Sequence, residues 1–130
     1  MLINHSNHPC DKWSQNQVDK AKELFGEVID LPFPNVPPDA SEQQVLEMAH
    51  QYLQKILQIR NNIPSDESLS VHVMGEFNFT FIIVQLLTKH NIPCYASTTV
   101  REVILEKTEN NEVVKTNVFK FVQFRRYMTI

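Results

Sequence analysis

Three polar clusters hold most of the side chains in this chain that could do chemistry: Ser6, Asn7 and His8 near the start, Gly75 and Glu76 in the middle, and Ser97, Thr98 and Thr99 with Arg101 further on. Hydroxyls, amides, imidazoles and a guanidinium, with Glu76 the single carboxylate among them, form a donor-rich, neutral-to-positive set. Such a set suits a phosphate or a nucleotide better than a cation. Polar residues also follow strands simply because loops are solvated, and that plainer reading stands beside the chemical one. Two roles are open to Glu76, which follows the only mid-chain glycine: general base, or charge partner of a helix N-terminus.

Other constellations carry less. His5-x-x-His8-x-Cys10 resembles a metal-ligand spacing, with His72 or Cys94 able to complete it, but Pro9 interrupts it and no second tight pair exists, so no metal is expected. His72 lies inside an apolar run and reads as a satisfied core histidine. No Gly-x-Ser-x-Gly elbow supports Ser6 or Ser97 as an acyl nucleophile. The tail interleaves Lys115, Lys120, Arg125 and Arg126 with Phe119, Phe121, Phe124 and Tyr127. That pattern fits stacking on single-stranded nucleic acid, and equally a core strand whose basic side chains reach out to water.

Composition narrows the field. The 130 residues fit one domain, 1–130, with 42% hydrophobic content for a single core. A net charge of -3 gives no bulk attraction to duplex DNA or anionic lipid. Two glycines, Gly26 and Gly75, are too few for a Gly-rich dinucleotide fingerprint or a Walker A loop. Cys10 and Cys94 lack zinc-ribbon or redox-pair spacing and read as free thiols. No apolar stretch approaches the roughly 18 residues that cross a bilayer, and no secretory signal is evident, so the cytoplasm is expected.

The elements that must position the clusters follow from period and punctuation. Leu2-Ile3-Asn4 reads as a strand that exits into His5–Pro9. Ser14 and Gln17 open a helix over 14–25 that stops at Gly26, and Val28–Leu31 is a strand ended by the prolines from Pro32 to Pro38. Ser41 and Gln44 open a second helix with apolar residues from Val45 to Ile59 at three- and four-residue spacing. Leu69–Met74 is a strand. Residues 76–90 alternate like a strand in part, but an unbroken stretch of that length predicts a helix. Cys94–Ala96 is a short strand leading into a Ser97–Thr99 loop, and Arg101–Tyr127 forms a hairpin. The order predicts an α/β fold: a Rossmann-like, three-layer, mainly parallel sheet with a C-terminal antiparallel hairpin.

Asn7-His8-Pro9 with Trp13 and Gln17, Met74-Gly75-Glu76-Phe77 with Thr80, Ala96-Ser97-Thr98-Thr99 with Arg101, and Val118–Val122 with Phe124, Arg125 and Tyr127 together resemble, over nearly the whole chain, the small stand-alone CRISPR-associated proteins of Rossmann-like CARF type. Some members of that group are ring nucleases. The resemblance implies a homodimer whose two pockets face each other around a cyclic oligoadenylate. It further implies cleavage without metal or cofactor, in which a ribose 2′-hydroxyl attacks the adjacent phosphorus in line and leaves a 2′,3′-cyclic phosphate. Such a step needs positioning and charge stabilisation more than a strong nucleophile. Carried over, Ser6, His8, Glu76 and Arg101 are expected to be catalytic, and Asn7, Gly75, Thr80, Ser97, Thr98 and Thr99 to bind the ligand. His8 is the expected proton-transfer group, since an imidazole titrates near neutrality. A non-catalytic module that senses or sequesters a nucleotide, and a structural or interaction domain built on the aromatic hairpin, are the alternatives.

Overall fold

Ser41 and Gln44 set where the longest helix begins. In the computed structural model, which describes residues 1–130, Ser41 Oγ accepts from the Gln44 backbone N–H at 3.2 Å and Gln44 Oε1 accepts from the Ser41 N–H at 2.8 Å. This reciprocal cap satisfies two donors that would otherwise lack partners, and helix α2 runs from Glu42 to Asn62. Ser14 caps α1 (Gln15–Phe25) by accepting from Gln17 N, and Glu76 caps α3 (Phe77–Lys89).

Five strands, β1 (Leu2–Ser6), β2 (Val28–Asp30), β3 (Ser70–Met74), β4 (Cys94–Lys107) and β5 (Val113–Arg126), form one sheet in the order β2-β1-β3-β4-β5. All pairings are parallel except β4 with β5. Alternation along the strands sends Leu2 to one face, against Ala21 of α1 with Phe121 and Phe124, and Ile3, Val71 and Val73 to the other, against α2 and α3. The fold is therefore α/β with helices on both faces, consistent at a coarse level with a Rossmann-like arrangement. The chain turns from β1 toward β2 through α1, and from β3 toward β4 through α3 on the opposite face. That reversal opens a crevice beyond the carboxyl ends of β1 and β3, where ligands collect in open α/β sheets. No helix is long and apolar enough to cross a membrane.

Two element boundaries differ from expectation. β1 continues through His5 and Ser6, both buried, with His5 Nδ1 meeting Leu31 O at 2.7 Å and Ser6 Oγ donating to Asn4 Oδ1. The Ser97–Thr99 segment is not a loop: β4 is one 14-residue strand from Cys94 to Lys107. Nothing between Pro93 and the turn at Glu109 stops it, and Thr and Val favour extended backbone. Its first residues pair with β3, and from Thr99 to Lys107 every residue is exposed, so β4 and β5 leave the body as a two-stranded arm. The ladder slips between Thr98 and Thr99, where the partner changes from Gln123 to Phe121 and leaves Val122 unmatched as a bulge.

Candidate functional site at the carboxyl ends of β1, β3 and β4

Parallel strands covered on both faces are ordinarily apolar throughout, yet β1 and β3 bury Asn4, His5, Ser6 and His72. Burying a polar group is costly unless it finds a partner. Asn4 and His72 are register neighbours. The Asn4 amide nitrogen donates to His8 O and to Asp30 Oδ1, both at 2.8 Å, and both can only accept. The other end of that amide is therefore the oxygen, which accepts from Ser6 Oγ at 2.7 Å and from His72 Nδ1 at 2.9 Å. With its proton on Nδ1, a neutral His72 turns the lone pair of Nε2 toward Ser97 Oγ, 3.2 Å away on β4. Burial, and secondarily the nearby His8, push the His72 pKa down to about 4, so the ring is neutral at physiological pH. Ser97 Oγ also lies 3.0 Å from Met74 Sδ, a much weaker acceptor than the imidazole nitrogen.

This network forms the floor of a cleft of about 430 Å³ lined by 11 residues: His8, Lys12, Trp13, Ser14, Gln17, His72, Met74, Ser97, Thr99, Phe119 and Phe121. None is a carboxylate. Trp13 is placed by the short helical turn Cys10–Lys12, its indole N–H donating to His8 O at 3.1 Å and its ring meeting His72 edge-on at 5.4 Å. Phe119, 66% exposed, forms the outer wall. Hydroxyls, an ammonium, an imidazole and aromatic faces can together take an anionic ligand that carries a flat ring.

The expected site residues divide. His8, Ser97 and Thr99 line the cleft, and Ser6, hydrogen-bonded to Asn4, lines a separate depression with Asn7 and Asp30. Arg101 pairs across the ladder with Phe119 on the face that continues outward from Thr99, which puts it at the outer rim. Asn7 and Glu76 line a different depression with Phe33 and Asn35, on the side of the sheet that carries α2 and α3. Glu76 takes the second of its two roles: its carboxylate accepts from Asn78 N at 2.9 Å and Phe79 N at 2.7 Å. Burial pushes its pKa up, but these N–H groups outweigh that and the net shift is downward, as befits a helix cap and not a proton-accepting base at neutral pH. Gly75 serves packing, since a Cβ there would overlap the Phe33 ring. Thr80 sits in the first turn of α3 with its hydroxyl buried and unpartnered, and Thr98 donates to Gln123 O within the ladder. Neither lines the cleft.

His5, His8 and Cys10 diverge. His5 points into the opposite core among Phe33, Tyr52 and Phe79, where burial lowers its pKa, while Cys10 lies against Asp30. Nowhere do three His, Cys, Asp or Glu side chains gather as a metal would require. A larger cleft of about 510 Å³ lies at the opposite edge, where β4 begins, lined in part by Cys94, Arg126 and Met128. Burial pushes the Cys94 thiol up to about 12, which favours the protonated thiol near neutral pH.

A family model described as "Uncharacterized protein MJ1673 family" matches residues 1–125. The chain belongs to that family. The matched span takes in the whole cleft, from His8 to Phe121, together with the strands and helices that build it. No curated protein and no solved structure matches the chain.

Lys12 was not anticipated, nor was the union of Asn4 and His72 in one network, whereas Phe119 and Phe121 were named only as part of the basic-aromatic tail. A polar signal for His72 was present, a histidine inside an apolar strand, but its partners lie 68 and 25 residues away and meet it only through sheet register.

Proposed function

We propose that this protein binds a cyclic oligoadenylate in the cleft beyond β1, β3 and β4 and cleaves it without metal, by in-line attack of a ribose 2′-hydroxyl that leaves a 2′,3′-cyclic phosphate. One observation carries the reading: a cleft at the sheet's switch point whose 11 lining residues include His8, Lys12, Ser97, Thr99 and three aromatic rings, and no acidic side chain. Phosphate oxygens find donors there and adenine rings find stacking surfaces, while no carboxylate repels the ligand. The resemblance to stand-alone CARF-type proteins supplies the ligand class.

The arm supports a homodimer. Its cleft-side face carries Arg101, Phe119, Val103 and Leu105 outward from Thr99, and isolated two-stranded ribbons are marginal in water. A second copy lying on this face would cover its exposed apolar side chains and close the cleft over a ring-shaped ligand.

Incubation of the purified protein with cyclic tetra-adenylate or cyclic hexa-adenylate in EDTA tests the reading. Linear fragments ending in a 2′,3′-cyclic phosphate are the expected products. Intact rings at stoichiometric protein overturn the cleavage; a raised melting temperature with recovery of unchanged ring would instead assign a sequestering role.

A further inference from the structure

The Asn4–His72–Ser97 chain of hydrogen bonds ends in the open cleft and begins in the protein interior, which is the layout of a base held by an orienting group and presented to a ligand. We infer that Ser97 and His72 form a proton relay, with Asn4 as the positioning residue, that accepts the proton of the attacking hydroxyl; this rests on the nucleotide reading above. Asn4 Oδ1 holds the His72 proton on Nδ1, Trp13 packs against the imidazole in a T-shaped contact, and the free lone pair of Nε2 faces Ser97 Oγ at 3.2 Å. His72 is almost wholly buried and Ser97 only in part, so the hydroxyl, not the imidazole, is what a ligand meets first.

The step balances. The ribose 2′-hydroxyl gives its proton to Ser97 Oγ as Ser97 passes its own to His72 Nε2. The freed electron pair forms the bond from the 2′-oxygen to phosphorus, the bond from phosphorus to the 5′-oxygen breaks, and the departing 5′-oxygen takes a proton from water. The imidazolium then returns its proton to solvent through Ser97. An isolated His72 in this site is a weak base, because charging it is opposed by burial. A phosphodiester bound above it reverses that balance, since an adjacent negative charge favours the protonated ring. The same serine and histidine at this distance would serve as well in a nucleophile-and-base pair, but the backbone N–H of Ser97, a usual oxyanion donor in such a pair, is directed to Met74 Sδ.

The test uses the full chain with cyclic tetra-adenylate in EDTA, measuring kcat, KM, dissociation constant and melting temperature for wild type, Ser97→Ala, Ser97→Thr and His72→Gln. Loss of a positioned proton acceptor lowers kcat by about 10²–10⁴-fold. That fall is expected in Ser97→Ala and His72→Gln with the dissociation constant nearly unchanged, and Ser97→Thr, which keeps a hydroxyl, should regain most of the rate. Ser97→Ala that cleaves at close to the wild-type rate overturns the relay and leaves the nuclease standing, and so does a kcat loss matched by equal losses of affinity and melting temperature. Wild-type protein that binds the ring without cutting it overturns the relay and the cleavage, and leaves ring binding standing. Wild-type protein that does not bind the ring overturns the nucleotide reading and the relay with it.

Discussion

Phe121 and Phe124 pack as tilted rings with centroids 4.9 Å apart on one face of the sheet, although residues three apart on an unbroken strand point to opposite faces. The bulge at Val122 makes the difference: it absorbs one residue and returns Phe124 to the side of Phe119 and Phe121. Phe124 then packs on Trp13, Phe25 and His72, which couples the arm's root to the floor of the cleft. Phe124→Ala is expected to cost about 3–5 kcal/mol of stability by chemical denaturation. Val122→Thr, at an exposed position outside the ladder, should change it by less than about 0.5 kcal/mol.

Asn4 makes four hydrogen bonds from a site with almost no solvent exposure. Asn4→Leu removes all of them, leaves the His72 Nδ1–H without an acceptor and leaves the Ser6 hydroxyl only its longer contact of 3.2 Å to His8 O. Each orphaned buried group costs roughly 1–3 kcal/mol, so a loss of about 3 kcal/mol is expected in urea unfolding. A loss below about 1 kcal/mol would mean that water replaces the amide.

Acidification should destabilise the fold. His5 and His72 both have folded-state pKa values below the unfolded value of 6.5. Between those limits the unfolded chain binds more protons, so stability rises with pH and is lost as pH falls below about 6.5. For His72, faced by His8 from the first loop, the loss runs down to pH about 4 and amounts to about 3 kcal/mol. Unfolding curves collected across that range check the slope, and a flat profile would contradict the neutral, Nδ1-protonated ring.

Glu76→Gln leaves the α3 cap one charge short and should cost about 1 kcal/mol, visible as a lowered melting temperature. Because Glu76 lies outside the cleft, ring binding and cleavage by this variant should match wild type. A hundredfold loss of cleavage with normal affinity would return Glu76 to the reaction.

Leu105 and Val113, 66% and 61% exposed on the cleft-side face of the arm, should anchor the association of two copies. Leu105→Lys with Val113→Lys is expected to convert a dimer to a monomer by light scattering while leaving the body folded. A monomeric wild type would remove the arm from the proposed interface.

Much of this architecture was legible in the chain. The serines at 14 and 41, the apolar spacing of α2 and the length of 76–90 are local signals, and α1, α2 and α3 lie where they point. The polar run Ser97-Thr98-Thr99 misled, because hydroxyl residues suit both turns and extended strands, and only pairing with β3 and then β5 decides between them. The site was half legible for the same reason. His8, Ser97 and Thr99 stand out as donors after apolar runs, but the union of Asn4 with His72, and the separation of Glu76 from Ser97, depend on which face each strand position takes.

The unbroken path of β4 ties the site to the arm through a single strand. The backbone that holds Ser97 against His72 is the backbone that carries Val103 and Leu105 out into solvent, with only the slip at Thr98 and Thr99 between them. A partner that grips the ribbon would therefore pull on the same strand that sets the spacing of hydroxyl and imidazole.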